Sequence, residues 1–203
     1  DYAPTTAISS ISWDDPNFPN IEGFGVWAAK CNFTMGPDGK MYSRMLGGNL
    51  VRIDVENARG ENLTNGDLVG TKDGSAYGLV FDPQDENVFY FSNNDKHCIY
   101  KYDLRTKECA CWAGQEGKSG YLDGPIGQAM FNKPGQMCVD SEGNIILTDT
   151  ENHCIRKITM STGYVSTLAG KPQNSGYVNG SAEDAQFKKP LGICIDNDDV
   201  MYI

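Results

Sequence analysis

Residues 114–140, GQEGKSGYLDGPIGQAMFNKPGQMCVD, return as GKPQNSGYVNGSAEDAQFKKPLGICID at residues 170–196. The Ser-Gly-Tyr triplet, the Gly that follows it, an Ala, a Phe and a Pro coincide at a constant offset of 56. Both histidines of the chain obey that offset, His97 in KHCIYKY and His153 in NHCIRKI. A period of this length means one supersecondary unit stacked on copies of itself, because a single unit cannot bury its own apolar face.

The repeat extends toward the N-terminus. Residues 78–114 match 135–170 with two extra residues in the first turn and one fewer in the second, and residues 32–64 form a weaker copy. A last copy breaks off at GICIDNDDVMYI. Each unit reads as four short strands: QMCVD, then IILTD, then CIRKI, then VSTLAG in the clearest copy. Apolar and polar residues alternate within them, and Gly-, Asp- and Asn-rich turns separate them. That pattern specifies antiparallel sheet. No long helical period is present.

The tract FNKPGQMCVDSEGNIILTDTENHCIRKITMSTGYVSTLAG, residues 131–170, resembles the NHL repeat almost throughout. The insert around SGYLDG is similar to the blade linker of bacterial NHL propellers. The resemblance implies an all-β chain, a β-propeller of four-stranded antiparallel blades. Its expected units are 24–74, 75–130 and 131–186, with the start of a fourth at 187–203. Residues 1–23 are expected as a lead-in or as the outer strand of a preceding blade. Closed propellers have about four to eight blades, and an uncovered blade edge would expose unpaired strand groups. The expectation is therefore a fragment of a six-bladed ring.

The net charge of −10 disfavours a phosphate-backbone partner. The basic pairs Arg156–Lys157 and Lys188–Lys189 read as solvated surface. No apolar run is long enough to span a membrane. The seven cysteines include no C-x2-C pair; Cys98, Cys138, Cys154 and Cys194 read as small buried packing residues. The thiols of Cys109 and Cys111 are expected on one face of a strand.

Two His-Cys-Ile triplets invite a metal site, but equivalent positions on neighbouring blades diverge, and adjacent strand residues point to opposite faces. No metal and no cofactor are expected. The Asp149–Asn152 turn is expected to tie the blade down through side-chain hydrogen bonds. Tyr121 and Tyr177 recur at the offset and read as linker packing. There is no G-x-S-x-G, H-E-x-x-H or P-loop signature, and no catalytic residue is assigned. Enzymes that resemble this chain carry their chemistry at the inner start of strand one. Here that position offers Lys30, Asn32, Tyr77, Lys133, Gln136 and Lys189 as a channel-mouth ligand surface.

The leading expectation is a non-catalytic binding propeller that takes an oligosaccharide, peptide or protein ligand. The resemblance further implies an extracytoplasmic, lipid-anchored nutrient-binding protein with a TIG/IPT domain ahead of the propeller. The rivals are a propeller hydrolase or lyase acting on a lactone, ester or sugar derivative, with its site in other blades, and a protein-interaction scaffold.

Overall fold

The computed structural model describes residues 33–44, 50–54, 59–64 and 78–203. The first sheet comprises β1 (Thr34–Met35), β2 (Met41–Arg44), β3 (Leu50–Asp54) and β4 (Arg59–Asn62), hydrogen-bonded in that order. The second repeats the order with β5 (Leu79–Phe81), β6 (Val88–Asn93), β7 (Cys98–Asp103) and β8 (Cys109–Ala113). A short strand, β9 (Gly124–Pro125), precedes the third sheet of β10 (Pro134–Val139), β11 (Ile145–Asp149), β12 (Cys154–Thr159) and β13 (Tyr164–Ala169). A two-stranded sheet of β14 (Cys194–Ile195) and β15 (Met201–Tyr202) follows. All the pairings are antiparallel. The chain is a β-propeller, as the repeat pattern requires.

The sheets pack face to face, so their middle strands are apolar on both sides. Every residue of β6 and of β11 is buried. Alternation along the strand then decides which neighbour each side chain meets. Phe89, Phe91, Cys98, Tyr100 and Tyr102 face the first sheet, packing with Tyr42 and Leu50. Val88, Tyr90 and Ile99 face the third, packing with Met137, Ile145, Leu147 and Ile158. The third sheet presents Ile146 and Ile155 to Ile193 and Met201. Each fully buried Ile or Leu contributes roughly 1.5–3 kcal/mol by leaving water.

The outer edge of the third sheet is closed by β9. Gly124 and Pro125 pair with Val165 and Tyr164 of β13, so a segment that precedes β10 in the chain completes the far side of its sheet. A single 3-10 turn, Thr150–Asn152, joins β11 to β12. Among the described residues, no helix is long and apolar enough to cross a membrane.

The cysteines divide. Cys98 and Cys154 are buried, and Cys109 and Cys111 lie together against the apolar cluster of the second sheet. Cys138 is only half-buried and Cys194 is exposed, contrary to the expected burial of both. Cys194 stands on the two-stranded sheet, which leaves much of its surface uncovered.

Candidate functional site

The His-Cys-Ile triplets act at the seams between sheets. His97 and His153 both adopt left-handed backbone, at φ 55° and 58°. That conformation is uncommon outside Gly but favoured by Asn, Asp and His. It turns each imidazole toward the start of the next inner strand. His97 Nδ1 accepts the backbone N–H of Lys133 at 3.1 Å, and His153 Nδ1 accepts that of Lys189, also at 3.1 Å. Lys133 and Lys189 are themselves left-handed, at φ 57° and 53°. One clasp is thus built twice, 56 residues apart. Burial, and then the nearby Lys133 ammonium, hold the His97 pKa below the ordinary imidazole value.

The Thr148-Asp149-Thr150 segment bonds outward in the same way. Thr148 Oγ1 donates to Leu191 O at 3.0 Å and Thr150 Oγ1 to Pro190 O at 2.9 Å. Asp149 accepts from Asn132 N and from Asn152 Nδ2, each at 2.8 Å. Asn152 Nδ2 also reaches Gly120 O at 2.8 Å. The turn therefore ties down the blade linker, as its short polar side chains suggested.

Arg156 lies at the centre of this network and is fully buried. Its guanidinium bonds Asp149 at 2.7 Å, Asp123 at 2.6 Å, Met130 O at 3.1 Å and Leu122 O at 2.9 Å. It also packs over the rings of Tyr121 and Phe131. Of the basic pair expected at the surface, only Lys157 belongs there, bridging to Asp140 at 2.9 Å. Arg156 sits two residues from Ile158 and shares its buried face. The signal was available at the equivalent position one repeat earlier, where Tyr100 stands. Burial pushes the Asp149 carboxyl up to about 6, against the opposing pull of Arg156.

The inner strands β1, β5, β10 and β14 converge on an open cleft of about 760 Å³. Its walls carry Met35, Val80, Met137, Val139, Ile193 and Ile195, with Gln136 and Cys138 among them. Its rim includes Asp82, Gln84, Asp85 and Glu86, from the turn after β5. Asp85 is held below the usual carboxylate range by the backbone N–H and carboxamide of Asn87 and by Arg105. This acidic rim belongs to the far end of strand one. Sequence reasoning considered only its start and so missed it, although the Asp- and Glu-containing turn stood in the pattern.

Of the channel-mouth residues, Lys30, Asn32 and Tyr77 lie outside the described residues. Gln136 lines the cleft. Its backbone N–H donates to Leu191 O at 3.1 Å, and its Oε1 accepts Ile193 N at 3.2 Å. Lys133 and Lys189 are exposed at the seams, and Lys189 Nζ bridges to Glu151 at 2.9 Å. Among the described residues, no group of three or more His, Cys, Asp or Glu is placed to hold a metal ion.

The fold and these repeated seams define the class: a β-propeller of recurring, clasped four-stranded units. Residues 131–158 match the NHL repeat. The chain is 29% identical over 104 residues to NHL repeat-containing protein 2 of Bos taurus, covering 51% of this chain and 14% of that protein. It is similar in structure to a structural-genomics protein of unknown function from Bacteroides thetaiotaomicron, with a TM-score of 0.72 and 28% identity, over 81% of this chain and 41% of that one. An auxiliary nutrient binding protein from the same organism superposes with a TM-score of 0.63 and 27% identity, over 81% of this chain and 42% of that one. The chain thus spans about two fifths of these solved structures.

Proposed function

We propose that this chain is part of a non-catalytic, ligand-binding β-propeller of the cell envelope, one that captures a small polar nutrient such as an oligosaccharide or peptide. The observation that carries the reading is the cleft of about 760 Å³ where four inner strands meet. That volume falls within the roughly 300–1,000 Å³ typical of small-molecule sites. Its apolar walls would take the non-polar faces of a sugar ring or a peptide side chain. Gln136 would fix orientation: its oxygen is engaged by Ile193, which leaves its N–H groups to the ligand. The nutrient-binding solved neighbour supports the same reading. Lys30, Asn32, Tyr77, Lys133 and Lys189 complete the proposed mouth, and the ring is proposed as six-bladed, with further blades outside this chain.

Titration calorimetry of the chain with neutral oligosaccharides and short peptides tests this. A dissociation constant of about micromolar or weaker is expected for at least one class. Gln136→Ala and Tyr77→Ala should each weaken it by roughly tenfold. A panel without a hit, or binding that neither substitution changes, overturns the proposal.

A further inference from the structure

We propose that Cys98 and Cys111 are a redox pair, which an external small-molecule disulfide oxidises to a bond stapling β7 to β8. The two residues stand on neighbouring strands and share one face of their sheet. On β7 that face carries Cys98, Tyr100 and Tyr102, and on β8 it carries Cys109 and Cys111; all five pack in the cluster toward the first sheet. Tyr100 pairs with Cys111 and Ile99 with Ala113, so Trp112 is an extra residue in β8. Such a bulge bends its strand and sharpens the local twist.

Both side chains converge on Gly114. Cys111 Sγ lies 3.7 Å from Gly114 O, so this thiol points along β8 toward the end where Cys98 stands. A Cβ added to Gly114 would lie 3.2 Å from Cys98 Cα and 3.1 Å from His97 O. Cys98 therefore sits against a bare glycine, one residue after the His97 that clasps Lys133. Cys109 is placed differently. It pairs with Tyr102, further down the hairpin, and two residues apart on one strand is a spacing unsuited to a disulfide with Cys111. The next copy lacks the pair. Cys154 keeps the place of Cys98, but Thr167 stands where Cys111 does and hydrogen-bonds Tyr121 instead.

The two thiols have unequal roles. Cys98 is fully buried and Cys111 half-buried, so an external reagent meets Cys111 first. Hydrogen bonding with Cys98 also draws the Cys111 thiol below its ordinary pKa, against the effect of burial, and the same contact pushes Cys98 up. A lowered pKa favours the thiolate, which is the nucleophile. The Cys111 thiolate attacks one sulfur of the external disulfide and expels the other half as a thiolate. Cys98 gives its proton to that thiolate and attacks Sγ of Cys111 in the mixed disulfide. The second half of the reagent is expelled and takes up the proton that Cys111 released to water. Two protein thiols are thereby oxidised by two electrons, and one external disulfide is reduced to two thiols.

The test incubates the folded 203-residue chain with oxidised glutathione, alkylates and cleaves it with trypsin, and reads linked peptides by mass spectrometry. The expected product joins HCIYK, residues 97–101, to ECACWAGQEGK, residues 108–118. It should be two hydrogens lighter than the separate peptides and disappear after dithiothreitol. Cys109→Ser should leave that product in place. Cys111→Thr, which copies the residue of the next repeat, should abolish it. Brief iodoacetamide labelling of the reduced chain should modify Cys111 roughly tenfold faster than Cys98. The absence of the linked product at a glutathione concentration that modifies the exposed Cys194 overturns the proposal. So does a product that survives Cys111→Thr, or labelling of Cys98 ahead of Cys111. The proposal does not rest on the inner-strand cleft taking a nutrient, so either reading can fail while the other stands.

Discussion

Replacing Arg156 by Met keeps most of the side-chain volume and removes the guanidinium from a fully buried position. Four partners lose a donor, but they lose it unequally. Leu122 O and Met130 O each keep a backbone N–H, and Asp123 is one-third exposed and can recover water. Asp149 is fully buried and would keep its charge with only Asn132 N and Asn152 Nδ2 to offset it. Breaking a buried pair by removing one partner costs about 3–5 kcal/mol, a large share of the roughly 5–15 kcal/mol that holds a domain folded. A drop in melting temperature on the order of 10 °C should accompany it. The deficit should depend on pH. Burial already raises the Asp149 carboxyl to about 6 in the folded chain, above its ordinary value of 3.8, and loss of the arginine raises it further. A carboxyl whose folded pKa is raised binds its proton more tightly when folded, so its contribution is present in acid and is lost as pH rises through the folded value. The Arg156→Met penalty should therefore be smaller at about pH 5 than at about pH 8. Urea unfolding of Arg156→Met, Asp149→Leu and the double variant measures all of this. The double variant should be more stable than Arg156→Met alone, since it removes the stranded charge. A single variant within about 1 kcal/mol of the parent would refute the assignment of Arg156 as the anchor of the linker, as would a double variant whose losses simply add.

His97→Asn tolerates the left-handed backbone but removes the imidazole acceptor, and should cost about 1 kcal/mol. Burial, and then Lys133, hold His97 below its ordinary pKa against the opposing pull of Asp95; the parent should therefore lose stability as pH falls below about 6.5, and the Asn variant should lack that slope in chemical denaturation. A Cβ added at Gly78 would sit 2.7 Å from Gly135 O and 2.9 Å from Met137 N, backbone atoms of the next inner strand. Gly78→Ala should therefore destabilise by about 1–3 kcal/mol in the same assay, and a neutral result would refute the tight approach of β5 to β10 at this point. Lys189→Ala removes an exposed bridge to Glu151 and should change stability by less than about 0.5 kcal/mol, since its clasp is made by the backbone N–H.

The architecture was legible because the repeat imposes the same local chemistry at each copy, and period-2 alternation then sorts residues between neighbouring sheets. That logic set His97 and His153 at equivalent places in successive copies, yet their actual work was not readable. It depends on a left-handed turn that swings each imzidazole-bearing residue onto a backbone N–H 36 residues ahead, and no pattern of residue types encodes that reach. Arg156 was misread for a different reason. Adjacency to Lys157 suggested a surface pair, whereas alternation places the two on opposite faces of β12. Its buried acceptors come from a linker about 26 to 34 residues earlier, so only the folded chain brings them together. Strand order alone puts Gln136 at an inner position, and it does line the cleft. The acidic rim was not, because the search was confined to one end of a strand that crosses the whole molecule. Repetition thus reveals what each copy shares, and the informative positions are those where copies diverge: Arg156 against Tyr100, and Asp149 against Asn93.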